Sequence, residues 1–220
     1  SSISGQINEI VGPGQVRSLL PDGFNWPLDL AMGEDGVLFI ADGPYSYTLR
    51  PGGTPQVAGM LFTPGCPGYI RGAAASGPGE VIVTTANGMV ARYRPASQQS
   101  EELASGFDQL YGVAHIPAGA VIFAELGTGR VLSVDSGRVE VLATGLRQPM
   151  GVAICPDGNC LVSESGAGRV VRLVPGGTET VLDGLQQPQG ILARGDLLYV
   201  VDALAQEVVE FNLASGARRT

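Results

Sequence analysis

The 220-residue chain is 44% hydrophobic and only 15% charged, which gives it enough apolar surface for a sizeable core and excludes a disordered, highly charged segment. Its formal charge is −8, it has no lysine, and its 13 basic residues are arginines scattered from Arg17 to Arg219, with only Arg218 and Arg219 adjacent. That pattern offers no track for nucleic-acid phosphates. No apolar run reaches about 18 residues, and Ser1-Ser2-Ile3-Ser4-Gly5 has neither the basic start nor the apolar core of a leader, so neither a membrane span nor an attached signal peptide is expected.

Glycine (33) and proline (15) together exceed a fifth of the chain and punctuate short β-branched and aromatic runs, which is strand and hairpin chemistry. Gly5–Ile10 and Gln15–Leu20 read as two strands. From Pro27 a longer pattern begins: Pro27-Leu28-Asp29-Leu30-Ala31, then Asp35-Gly36-Val37-Leu38-Phe39-Ile40-Ala41-Asp42. It recurs least regularly at Pro67-Gly68-Tyr69-Ile70-Arg71 with Val81–Thr85, then at Tyr111-Gly112-Val113-Ala114 with Val121–Glu125. The fullest copy is Pro149–Glu164 followed by Gly168–Val174, and the last is Pro188-Gln189-Gly190-Ile191 with Gly195–Asp202. The copies begin at 27, 67, 110, 149 and 188, in steps of 40, 43, 39 and 39 residues. A fixed period of this size signals a repeat architecture, and four short antiparallel strands fit each copy.

In the fourth copy the strands, a to d, are expected near 150–155, 160–164, 169–174 and 178–182. The predicted fold is therefore an all-β β-propeller of four-stranded blades occupying residues 1–220 as a single domain. About six blades are expected, five complete and one partial: residues 1–26 supply only strands c and d of a blade, and the last copy stops at Arg218-Arg219-Thr220, where its strand d should begin. Either the chain is part of a longer protein that carries the remaining hairpin, or its last blade closes in an unusual way.

Three cysteines are too few for a disulfide framework. Cys155 and Cys160 flank the turn Pro156-Asp157-Gly158-Asn159; a cross-strand bridge is one reading, and two free thiols on facing strands is the favoured one. No Cys-x-x-Cys or histidine-rich spacing suggests zinc.

The string Pro-x-Gly-Val/Ile-Ala, followed by Asp-Gly-x-Leu-Tyr/Phe-Val/Ile-x-Asp, resembles the NHL repeat. It also resembles the six-bladed propellers of the strictosidine synthase and SMP-30/gluconolactonase groups and the seven-bladed virginiamycin B lyase group. The likeness is at the level of the blade, and propellers host unrelated functions. Gly112, Gly151 and Gly190 are expected on innermost strands, where a side chain would collide with the neighbouring blade. The acidic residue closing strand b (Asp42, Glu125, Glu164, Asp202) recurs in four of five copies, which favours a structural role, accepting N–H bonds from the turn into strand c, over catalysis.

Ligands of propellers bind at the mouth of the central channel, among the d–a and b–c loops. Residues that break the repeat there are the candidates. Asp29 and Tyr69 replace the recurrent glycine, and Arg71 replaces an alanine; Asp29 and Arg71 form either an inter-blade ion pair or a ligand site. Trp26, Tyr45 and Tyr111 complete the ligand-binding set, with Tyr47, Arg147, Met150 and Gln189 further along the rim. The only histidine, His115, lies at the far end of strand a, so a Ser-His-Asp site at the mouth and the histidine chemistry of the lyase group find no counterpart. The SMP-30 resemblance implies a divalent cation such as Ca²⁺ on Asn, Asp and Glu oxygens, and Asn25, Asp29 and Glu125 could imitate such a set. The leading expectation is thus a non-enzymatic domain without a cofactor, binding a small molecule, a peptide or a neighbouring domain. The alternative is a metal-dependent lactonase or lyase.

Overall fold

The computed structural model describes residues 5–20, 23–117 and 119–220; Ser1–Ser4, read above for a leader, lie outside them. The chain divides into two compact units, Ser1–Gly106 and Phe107–Thr220. Among the described residues no helix is long and apolar enough to cross a membrane.

The first unit opens with a two-stranded sheet, β1 (Ile7–Gly12) and β2 (Gln15–Leu20). Two four-stranded meanders follow: β3 (Pro27–Met32), β4 (Leu38–Asp42), β5 (Tyr45–Leu49) and β6 (Gln56–Met60), then β7 (Ile70–Gly77), β8 (Glu80–Thr85), β9 (Met89–Arg94) and β10 (Gln99–Ser105). The second unit holds three meanders: β11 (Leu110–His115) to β14 (Arg138–Ala143) through β12 (Val121–Glu125) and β13 (Arg130–Asp135); β15 (Pro149–Ile154), β16 (Cys160–Glu164), β17 (Arg169–Val174) and β18 (Gly177–Leu182); and β19 (Pro188–Arg194), β20 (Leu197–Asp202), β21 (Glu207–Asn212) and β22 (Arg218–Arg219). These five sheets are the five predicted blades, and the fourth matches its predicted strands to within one residue.

Burial explains the composition of each strand. The second strands β4, β12 and β16 are covered on both faces along their whole length, so they read as continuous apolar runs instead of alternating ones. The fourth strands β10, β14 and β18 are mostly exposed and carry Glu, Thr and Arg. Consecutive blades within a unit bury a shared core. In the first unit Phe39, Ala41, Ala58, Ile70, Val83 and Tyr93 pack together, and the fully buried Tyr93 hydroxyl donates to the Ala58 carbonyl at 2.7 Å. In the second, Ala124, Val131, Val152 and Val162 form one such layer, and Leu161, Val170, Leu198 and Val200 the next. Cys160 belongs to the former layer and Cys155 to the latter. The two thiols thus point to opposite faces of one sheet and are free.

Every ladder between the first two strands of a blade breaks register near its start: Pro27/Asp29, Ile70/Gly72, Leu110/Val113, Pro149/Val152 and Pro188/Ile191. Such a bulge re-aims the side chains it contains, and Arg71, Tyr111, Met150 and Gln189 all sit in one. The glycine expectation holds at two of its three positions. A methyl group on Gly112 would lie 2.3 Å from the Met150 carbonyl oxygen, and one on Gly151 would lie 2.4 Å from that of Gln189. Gly190 departs from it: it is exposed, and a methyl there meets nothing nearer than Val201 Cγ2 at 3.9 Å.

Candidate functional site

The rim of the first unit is built by the segments entering β3 and β7 and by the turn from β4 to β5. Asp42, fully buried at the end of β4, accepts hydrogen bonds from the backbone N–H groups of Asn25 (3.1 Å) and Trp26 (2.5 Å). Its counterparts repeat the arrangement. Glu164 accepts from Arg147 N–H at 2.7 Å, Asp202 from Gln186 and Gln187 N–H at 2.7 and 2.8 Å, and Glu125 from Asp108 N–H at 2.9 Å. The predicted structural role is thus seen, with a correction to its partners. The carboxylates chiefly hold the segment entering the first strand of their own blade. Among the described residues, a backbone bond into the turn after the second strand occurs only at Ala205 N–H with Asp202, at 3.5 Å. The glutamates reach one methylene farther and each also binds an arginine across that turn, Glu125 with Arg130 and Glu164 with Arg169.

Held in this way, Trp26 places its side chain in solvent, 67% exposed. It stands beside Gly43, where a methyl group would be 3.6 Å from Trp26 Cβ and 3.7 Å from the Tyr69 hydroxyl. Trp26 and Tyr69 therefore flank one small platform, and Gly43, at a φ of +57°, keeps it open. The Arg71 guanidinium lies over the Tyr69 ring, 5.9 Å from its centroid, within cation–π range. Tyr45 and Tyr47 were expected in the β4–β5 loop. That connection is only Gly43 and Pro44, and both tyrosines belong to β5. Tyr47 packs edge-on against Phe24 at 5.2 Å, so it serves the core.

Asp29 and Arg71 take different partners. Asp29 Oδ2 accepts from Ala73 N–H of β7 and Oδ1 from Leu30 N–H, both at 2.8 Å. Its carboxylate thus links the inner strands of two blades at the position where the later blades use glycine. Burial pushes its carboxyl up to about 6, against the lowering effect of those two N–H groups.

Tyr111, Met150, Arg147, Gln189 and Glu125 belong to the second unit. Burial pushes the Glu125 carboxyl upward, but hydrogen bonds from Arg130, Thr128 and Asp108 N–H, together with the Arg130 charge, outweigh it and hold the group below its ordinary value. Those oxygens are occupied by donors, so Glu125 does not fit the role of a cation ligand. Among the described residues no three His, Cys, Asp or Glu side chains gather as a metal site would require.

Sequence reasoning missed Phe62. It is 93% exposed and held at a φ of +75°, in the loop of residues 61–69, which is longer than the corresponding connections 106–109, 144–148 and 183–187. Leu61 N–H donates to the Pro44 carbonyl at 2.7 Å, and Ala86 N–H to that of Tyr69 at 2.8 Å, fastening both ends of the loop. Thr85, standing where the other copies have an acid, was the available signal.

No family model matches the sequence, and no curated protein matches it. Solved structures do. A chain from a crystal structure of a nidogen–laminin complex superposes with a TM-score of 0.86 at 19% identity, covering 98% of this chain and 89% of that one. Virginiamycin B lyase from Staphylococcus aureus gives a TM-score of 0.67 at 17% identity, over 88% of this chain and 68% of its own. A gluconolactonase from Xanthomonas campestris gives 0.71 at 18% identity, over 88% and 74%. At these identities the likeness carries the fold alone: the chain has the β-propeller fold of four-stranded blades that its repeat implied.

Proposed function

We propose that this chain is a protein-binding β-propeller domain that engages an extended or loop segment of a partner through the rim of its first unit. The observation that carries this reading is a set of exposed aromatics on tied-down segments: Trp26, 67% exposed, across Gly43 from the Tyr69–Arg71 stack, and Phe62, 93% exposed, on the loop that Tyr69 ends. Large aromatics in solvent contribute nothing to the core, whereas Trp, Tyr and Arg are the side chains that anchor interfaces. Phe62 also holds a left-handed backbone that costs a bulky residue about 1–2 kcal/mol, consistent with selection for what the side chain meets outside. The net charge of −8 favours a partner segment with basic residues around an apolar centre. The similar chain in a nidogen–laminin complex sets the same fold in a protein assembly.

Trp26 is the only tryptophan, so its fluorescence reports on this surface directly. Peptides selected from a phage-displayed library on the purified protein should shift Trp26 emission to the blue. They should bind Phe62→Ser and Tyr69→Ala at least about tenfold more weakly, which is about 1.4 kcal/mol. Selected peptides that leave Trp26 emission unchanged and bind both variants like wild type would overturn the reading. The lactonase or lyase alternative draws on the shared fold and on the raised Asp29 carboxyl. It finds no support in Glu125, and calorimetric titration with Ca²⁺ tests it, with a binding isotherm lost in Asp29→Asn as its expected mark.

A further inference from the structure

The last blade departs from the others on one face. In the β15–β18 blade, the residues turned toward the following blade are closed off: Ala153 is 6% exposed, and Leu161, Ser163 and Val170 are fully buried. Their counterparts in the β19–β22 blade follow from the strand register, in which Val152 pairs with Val162 as Ile191 pairs with Val200. They are Leu192, Tyr199, Val201 and Val208. Leu192 is 60% and Val201 37% exposed, and Tyr199 and Val208 are only partly covered. Three of the four are aliphatic, and the fourth, Tyr199, spends its hydroxyl on Glu210 of its own blade. At Ser163 the hydroxyl donates to the Gln189 carbonyl of the next blade at 2.6 Å, whereas Val201 offers only a methyl surface. Gly190 completes the contrast, being exposed, with open space where Gly112 and Gly151 each meet a carbonyl of the following first strand.

We propose that this face binds a β-hairpin of the same kind as the first two strands of a blade. The same interface occurs twice within the second unit, β15 against β11 and β19 against β15, and the open face continues that series. The occupant's chemistry follows from its two precedents. Val152, Ile154, Cys160 and Val162 cover the β11–β14 blade, and Ile191, Ala193, Leu198 and Val200 cover the β15–β18 blade. The hairpin thus presents two small or medium apolar side chains from each strand and sets a backbone carbonyl over Gly190 Cα. A flat, polar or helical partner cannot make that approach.

The test uses the full chain and a fluorescent synthetic peptide spanning residues 149–164, with both cysteines replaced by alanine, read by anisotropy and by methyl NMR. The expected result is saturable one-to-one binding that raises the melting temperature of the protein and moves the methyl signals of Leu192, Val201 and Val208. Gly190→Leu should weaken binding at least tenfold without lowering the melting temperature of the free protein, since its side chain enters open space. Val201→Glu should do the same by another route. Absence of peptide binding to wild type, or equal binding to all three proteins, overturns the proposal. So does a dimer of the free chain that Val201→Glu dissociates, for then a second copy is the occupant.

Discussion

Alanine in place of three equivalent glycines should have effects of opposite sign. None of Gly112, Gly151 and Gly190 has a left-handed backbone, so alanine fits each locally, and restricting the unfolded chain stabilises by about 0.4–1 kcal/mol. What separates them is the next blade. The Gly112 methyl would lie 2.3 Å from Met150 O, 2.8 Å from Gly151 Cα and 2.9 Å from Val152 N; the Gly151 methyl would lie 2.4 Å from Gln189 O and 3.0 Å from Ile191 N. These are backbone atoms that no rotamer change removes, so the strand must retreat by about 1 Å to reach normal contact distance. Overpacking of this kind costs about 1–3 kcal/mol, and the rigid neighbour puts these sites at the upper end. Gly112→Ala and Gly151→Ala should therefore each lose about 2 kcal/mol net, a fall of about 4–8 °C in Tm for a chain of this size. Gly190→Ala, with its methyl 3.9 Å from Val201 Cγ2, should be neutral or gain about 0.5 kcal/mol. Urea unfolding followed by circular dichroism measures all three. Equal losses at the three sites would refute the claim that Gly190 faces open space, and neutrality at all three would refute the tight inter-blade approach.

Further outcomes follow from buried charge and thiols. The Asp29 carboxyl is raised from 3.8 to about 6, so between those values the folded state binds more protons than the unfolded one and stability falls as pH rises through about 6. Asp29→Asn should accordingly match wild type near about pH 4 and exceed it by about 1 kcal/mol near about pH 7.5 in urea melts; a variant less stable at the higher pH would contradict the burial argument. Glu125 acts in the opposite sense, its depressed carboxyl adding stability above its ordinary value of 4.5 that is lost as acid titrates the folded form, so Glu125→Gln should flatten the acid limb of the wild-type profile. Glu164→Ala removes the acceptor of the Arg147 N–H and the ion-pair partner of the half-exposed Arg169, which keeps its bond to Thr180, and should cost about 2 kcal/mol, whereas Glu164→Gln, which keeps an acceptor for the N–H, should cost less. In a thiol titration, the partly exposed Cys66 should react in the native protein. Cys155 and Cys160, both buried and both raised by desolvation, the latter to about 12, should react only on unfolding.

The blades were legible because their signals are local. Turn glycines and prolines, the Asp-Gly pairs and the continuous runs of the second strands depend on residues adjacent in sequence, and the β15–β18 strands were placed to within one residue. What failed was non-local. The N–H partners of Asp42 and Glu164 are backbone groups, which any sequence supplies, so nothing marked them in advance. Pro67 marked the second copy by analogy with the others, yet β7 begins at Ile70, because the turn-rich residues 63–68 fill out a longer loop; Gly72, pairing with Thr84 as Asp29 pairs with Ala41, therefore holds the glycine position expected at Tyr69, and Arg71 precedes it instead of replacing the alanine. Gly190 recurs like its counterparts, and only the neighbour's position decides whether a glycine is crowded.

The acidic anchor and the irregular loop are linked. In four blades a buried carboxylate grips the segment entering the first strand, which keeps that segment short and gives it the same path each time. In the β7–β10 blade the equivalent residue is Thr85, whose hydroxyl instead donates to the Met89 carbonyl and accepts from Met89 N–H within its own turn, both at 3.1 Å. Without a carboxylate to collect its N–H groups, the entering segment is free to lengthen to residues 61–69 and to find other fastenings, through Leu61 to Pro44 and Tyr69 to Ala86. Phe62 stands on that segment, and Tyr69 ends it. The repeat thus gives up its anchor where its most exposed aromatic is displayed, a coincidence in line with the recognition role proposed for this loop, while the four carboxylates hold the scaffold.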